Sequence, residues 1–183
     1  LARREIAKIP SGVYRAEALF DSDGIDLNRP VALKVKIEVS GEEMTIDFSE
    51  ISDQVTGSIN SGESGAVAAA RVAFKSLVSP YSPIDEGCFR CLKVVIPPGK
   101  LLSATPPAAV GNWSRTLPTV VDLILTALAP ALPEKIPAAS KRDMGGYAFH
   151  GVDPLTGRRF LCQSIMGGGW GGRPHEDGEN ATV

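Results

Sequence analysis

The sequence predicts an α+β domain in which antiparallel β-hairpins and a mixed sheet pack on two substantial buried helices. Three observations carry that expectation. Apolar residues alternate with polar ones between Val31 and Phe48, the period of a strand with one buried face. Ala66, Ala70, Ala73, Phe74 and Leu77 then recur at helical spacing. Finally, the apolar residues from Leu117 to Leu128 surround almost a whole helical circumference, which requires burial on most sides.

In chain order, residues 2–8 suit a short helix that stops before Pro10. Tyr14, Ala16, Ala18 and Phe20 share one side of a strand, with Arg15 and Glu17 on the other. Asp21-Ser22-Asp23-Gly24 reads as a turn. The clearest strand holds Val31, Leu33, Val35, Ile37 and Val39. Ser40-Gly41 turns the chain, and Met44, Ile46 and Phe48 return as the second arm of a hairpin over 31–48. Asn60, with Glu63 three residues on, predicts a capped helix start. Arg71 and Lys75 point away from the alanine stripe, and Pro80 and Pro83 end the helix.

Leu92 to Ile96 forms a short strand closed by Pro97-Pro98-Gly99. Thr116 is placed as the cap of the second helix with Pro118 in its first turn, where a missing N–H costs nothing. Pro130 and Pro133 stop it. Tyr147–His150 and Phe160–Met166 predict a last strand pair around Asp153-Pro154-Leu155-Thr156-Gly157. The chain divides by composition into a β-rich part (1–50) and an α+β part (51–183) that ends in a glycine-rich loop. The whole is expected to be one region of a larger domain, since it opens without Met and stops soon after that loop.

Composition narrows the function. With 43% hydrophobic and 22% charged residues and a net charge of −2, there is no basic excess to neutralise nucleic-acid phosphates. No apolar run reaches the ~18–20 residues of a membrane span. No apolar segment follows Leu1-Ala2-Arg3-Arg4-Glu5 to make a secretory signal, so Asn180-Ala181-Thr182 carries little weight as a glycosylation sequon. Three cysteines cannot all pair, and a reduced cytoplasmic setting is expected.

The candidate chemistry centres on Gly167-Gly168-Gly169-Trp170-Gly171-Gly172-Arg173-Pro174 with Asp177-Gly178. Glycines allow close approach to a ligand or to another chain, and equally serve a purely structural turn; the residues leave both uses open. Arg173 has a guanidinium able to fork to a carboxylate or phosphate. The loop lacks the Gly-Lys-Ser/Thr of a nucleotide phosphate loop. Cys88-Phe89-Arg90-Cys91 is half of a zinc motif, with Cys162, His150 and His175 as the remaining ligand candidates, and reads as ordinary thiols. Asp21-x-Asp23-Gly24 resembles the start of a calcium loop, but Gly24 comes too early and no bidentate Glu closes a loop of about twelve residues. Acidic pairs among Asp21, Asp23 and Asp26, or Glu176 and Asp177, read as solvated. Ser164 and Ser114 lack a nucleophile elbow.

As an ordered set, several segments resemble the hydantoinase B/oxoprolinase family. They are Ile9–Tyr14 with Asp21–Gly24, Met44–Ser49, Val55–Asn60, Glu86–Arg90, Gly111-Asn112, Pro137–Ser140 and the glycine-rich signature. The resemblance implies the B-type subunit of an ATP-dependent cyclic-amide hydrolase of the hydantoinase or 5-oxoprolinase type. An A-type partner would use ATP to activate the ring oxygen, and a divalent metal held elsewhere in the parent subunit would supply the attacking water. It implies no metal and no cofactor on this segment, an oligomeric assembly and a small cyclic-amide substrate. Gly168, Gly169, Trp170, Gly171, Arg173 and Asn112 become candidates for substrate-pocket or subunit contact. Two alternatives stand beside this reading: a subunit of an acetone-type ATP-dependent carboxylase, and a non-catalytic assembly module.

Overall fold

The computed structural model describes residues 1–142 and 145–180; Asp143, Met144 and residues 181–183, with two of the three sequon positions, lie outside them. The elements are α1 (Ala2–Ile6), β1 (Gly12–Phe20), β2 (Val31–Ser40), β3 (Glu43–Asp47), α2 (Glu63–Val78), a 3₁₀ turn (Glu86–Phe89), β4 (Leu92–Val95), α3 (Trp113–Leu128), β5 (Gly145–Val152) and β6 (Arg159–Met166).

Strands β1 to β4 form one sheet in chain order. β1–β2 and β2–β3 are antiparallel, whereas β4 runs parallel to β3, from Met44↔Leu92 to Asp47↔Val95. A parallel return needs a long crossover, and α2 lies within it. The sheet is therefore mixed, and with two 16-residue helices against it the α+β expectation is met.

Alternation decides the two faces. Val31, Leu33, Val35, Ile37 and Val39 on β2 are buried with Met44 and Ile46 on β3, under α3 and α2. The opposite face is a charge ladder: Lys34 pairs with Glu17 at 3.6 Å and Lys36 with Asp47 at 2.9 Å. On α2 the buried stripe is Ala66, Ala69, Ala70, Ala73, Phe74 and Leu77, small enough for close packing against α3. The β5–β6 hairpin forms a separate two-stranded sheet, and all eight β6 residues are exposed.

Four local expectations are corrected. Asn60 does not cap α2, whose N-cap is Gly62 without a side-chain bond. Instead the Asn60 amide is fully buried and serves more groups than a cap would. It accepts from the Val55 N–H (2.8 Å) and donates to the carbonyls of Val55 (2.8 Å), Gly57 (2.9 Å) and Ala109 (2.9 Å). Thr116 is not a cap either; it lies within the first turn of α3, and its hydroxyl donates to the Ile59 carbonyl at 2.6 Å. Because α3 begins three residues earlier than Thr116, Pro118 sits in the second turn. The bond it forgoes is the one to Ser114, close to the helix start. Lys75 is buried rather than turned away. Its ammonium donates to the carbonyls of Ser79 and Ser82 and to the Ser82 hydroxyl (3.0 Å), so it closes the C-terminal end of α2.

Candidate functional site

The predicted site residues divide between the two ends of α3. Asn112 precedes its first turn. Trp170, Gly171 and Arg173 line a cleft of about 230 Å³ with Leu125 from its last turn. Thirteen residues of helix rise separate these ends by about 20 Å. The structure therefore does not bring Asn112 together with the glycine-rich loop.

At the C-terminal end, the glycines are required by backbone packing. Gly171 donates to the Ala138 carbonyl (3.1 Å), and Ala138 donates back to Gly172 (2.9 Å). Lys141 donates to Gly169 (3.1 Å) and Trp170 to Glu179 (2.9 Å). A Cβ on Gly178 would stand 1.9 Å from the Trp170 carbonyl oxygen, and one on Gly171 would stand 2.4 Å from that of Ala138. A Cβ on Gly168 would meet the Lys141 side chain at 2.2 Å. Arg173 is committed as well: its Nε donates to the Lys135 carbonyl (3.2 Å), and another guanidinium nitrogen pairs with Glu176 (2.7 Å). The segment 137–142 is tied to α3 by buried Asp122, which accepts from the Ser140 amide (3.1 Å), the Ser140 hydroxyl (2.9 Å) and Arg142 Nε (3.1 Å).

At the N-terminal end, three loops surround a larger cavity of about 450 Å³. The 21–25 turn is held by Asp23, whose carboxylate accepts from the amides of Ile25 (2.8 Å), Asp26 (2.8 Å) and Gly57 (2.9 Å). Those amides hold the Asp23 carboxyl below its ordinary pKa. Gly57 passes so close to this turn that a Cβ there would lie 1.8 Å from the Asp23 carbonyl oxygen. The loop around Ser58 is held by buried Asn60 and by Thr116, and Asn112 donates to the Ser58 hydroxyl at 2.9 Å. Leu19, Phe20 and Ile25 give the cavity apolar wall; Asp21, Asn112 and Arg115 give it polar wall. The Arg115 guanidinium and the Asp21 carboxylate make no hydrogen bond or ion pair among the described residues.

Sequence reasoning missed this cavity. It read Asp21-x-Asp23-Gly24 as a turn, which it is, and gave Arg115 no role. The early signals were the family-like segments Asp21–Gly24, Val55–Asn60 and Gly111-Asn112, which were not read together as one site.

The thiols and imidazoles do not assemble a metal site. Cys91 is buried, and that burial raises its thiol pKa. Cys162 is exposed on β6, and His175 faces Glu134 at 3.2 Å. Among the described residues no three His, Cys, Asp or Glu side chains converge as metal ligands, so these residues do not fit a metal. Among the same residues no helix is long and apolar enough to cross a membrane.

The sequence profile of the hydantoinase B/oxoprolinase family matches residues 1–183. The chain belongs to that family. Caprolactamase subunit beta of Pseudomonas jessenii is 28% identical over 154 residues, covering 83% of this chain and 26% of that protein. The crystal structure of ATP-dependent caprolactamase from the same organism superposes with a TM-score of 0.83 at 24% identity, over 98% of this chain and 31% of that one. 5-Oxoprolinase 1 of Arabidopsis thaliana is 29% identical over 184 residues, covering 100% of this chain and 14% of that protein. A nucleotide-free acetone carboxylase structure shares the fold, with a TM-score of 0.80 at 14% identity, over 100% of this chain and 27% of that one. This chain thus spans about a quarter of the caprolactamase subunit and about a seventh of the oxoprolinase.

Proposed function

We propose that this chain is part of the B-type subunit of an ATP-dependent cyclic-amide hydrolase that opens a lactam or hydantoin ring. The observation that carries the reading is the family match over residues 1–183, with relatives that include a caprolactamase subunit and a 5-oxoprolinase. In this reading an A-type partner spends ATP on activating the ring oxygen. Water then adds to the activated carbonyl carbon, the C–N bond breaks and the activating group leaves as phosphate, giving a carboxylate and an amine from a lactam, or a carboxylate and a urea from a hydantoin. A divalent metal held elsewhere in the subunit would supply the water in nucleophilic form.

The described residues contribute scaffold and wall. Gly168 and Gly171 let the loop pack against the 135–141 segment and Gly169 lets it pack against Glu179, which sets Trp170 into the cleft beside α3. Trp170 is 38% exposed there, open to a ligand or to a neighbouring subunit. Arg173 acts as a positioning residue that holds this loop closed on itself. Asn112 positions the Ser58 loop at the other end.

The test is reconstitution of the full-length subunit with its A-type partner. Lactams of different ring size, a hydantoin and a ketone would each be offered with ATP, with and without bicarbonate. Loss of a cyclic amide with matching release of its ring-opened acid and phosphate is the expected result. Bicarbonate-dependent loss of the ketone, with cyclic amides untouched, would move the assignment to the carboxylase branch. No turnover of any kind by a folded, assembled complex would favour the assembly-module reading.

A further inference from the structure

The cavity at the N-terminal end of α3 carries two unspent charges of opposite sign, Arg115 and Asp21, on one wall system with Leu19, Phe20 and Ile25 between polar groups. Its volume of about 450 Å³ lies within the ordinary range of small-molecule sites, roughly 300–1,000 Å³. Its frame is fixed in advance. Buried Asn60 and Asp23 tie the loops together through backbone groups, and Thr116 anchors α3 to the same loop. A frame of that kind loses little further freedom when a ligand enters.

We infer that this cavity binds a zwitterionic amino carboxylate, with the ligand's carboxylate on Arg115 and Asn112 and its ammonium toward Asp21. The inference rests on the hydrolase reading for its choice of ligand. Hydrolysis of a lactam breaks the C–N bond, places the oxygen of water on the carbonyl carbon and leaves the nitrogen as an amine. Near neutral pH both ends are charged. A lactam ring without a carboxyl substituent offers neither Arg115 nor Asp21 an ionic partner; its opened product offers both. A guanidinium favours carboxylates through charge-assisted hydrogen bonds, and the apolar wall suits the methylene chain joining the two charges. The cavity therefore discriminates product from substrate, and in the working enzyme it is a site for product retention or product inhibition.

The test is isothermal titration calorimetry on the full-length subunit, without ATP or partner. The probes are 6-aminohexanoate, hexanoate, hexylamine and the intact six-carbon lactam. The expected result is binding of 6-aminohexanoate, at least about ten-fold weaker binding of each singly charged analogue, and no binding of the lactam at this cavity. Arg115→Gln should weaken 6-aminohexanoate and hexanoate at least about ten-fold, with an unchanged melting temperature because the side chain is exposed. Asp21→Asn should weaken 6-aminohexanoate and leave hexanoate as it was. Binding of 6-aminohexanoate to Arg115→Gln within two-fold (~0.4 kcal/mol) of the parent, equal binding of all four probes, or no binding at all would overturn the inference. The two readings fail separately. Ring opening without zwitterion binding sinks only the cavity assignment. Arg115-dependent zwitterion binding by a subunit that opens no ring sinks only the reaction.

Discussion

The two ends of α3 contrast in how they spend their polar groups. At the C-terminal end, six glycines and Arg173 make the most conspicuous stretch of the sequence, and nearly every group there is already used. The backbone amides pair with Ala138 and Glu179, and Arg173 is divided between Lys135 and Glu176. At the N-terminal end, no residue type is unusual, yet a guanidinium and a carboxylate face a preformed cavity uncommitted among the described residues. An unusual composition marks where the backbone must approach closely. Free chemistry depends on which ordinary side chains the fold leaves over.

The largest expected effect comes from the frame of the N-terminal end. Asn60→Ala strands one amide and three carbonyls in buried loop, and should cost about 2–4 kcal/mol in urea unfolding at an unchanged m-value. A loss below about 1 kcal/mol would mean that the cavity is not held in advance. Next is the C-terminal end: Gly178→Ala sets a Cβ against the Trp170 carbonyl and should cost about 1–3 kcal/mol. If the variant matches the parent in stability, backbone packing is not what the glycines are for.

Acid should act on the N-terminal end through Asp23. Its folded pKa is held below the unfolded value by three amides, so its contribution is present above the unfolded pKa of about 3.9 and is lost as pH falls through the lower folded value. Asp23→Asn should therefore lower the melting temperature at neutral pH and flatten the fall in stability below about pH 4. An acid limb that keeps its slope in the variant would remove Asp23 from the account. The smallest effect belongs to the hairpin. Phe149, 64% exposed and 5.3 Å from Tyr147 between ring centres, should tolerate Phe149→Ser within about 0.5 kcal/mol while self-association in sedimentation falls.

Much of the fold could be read from periodicity, because β2 and β3 alternate strictly and one of their faces is buried as that pattern requires. The turn Asp153–Gly157 between two strand-like runs gave the β5–β6 pair but not its exposure, since a hairpin signal does not show where cover comes from. Parallel β4 was not legible, because its direction is set by the crossover and not by Leu92–Val95 itself. Asn60 misled for a chemical reason: an amide three residues before a glutamate suits a cap, yet the same amide serves Ala109, 49 residues away, and only tertiary structure shows that demand. Arg115 was invisible for the opposite reason, since nothing in a sequence marks a side chain by its lack of partners.

The most direct test of the contrast between the two ends sets the two arginines side by side in the reconstituted enzyme. Melting temperature, kcat and inhibition by amino carboxylate would be measured for Arg115→Gln and Arg173→Gln. Arg173→Gln should lose about 1 kcal/mol of stability and lower kcat with product inhibition intact. Arg115→Gln should keep its melting temperature and lose product inhibition. The reverse pattern, with inhibition lost at Arg173 and stability lost at Arg115, would place the binding chemistry in the glycine-rich loop and contradict the division of roles between the two ends of α3.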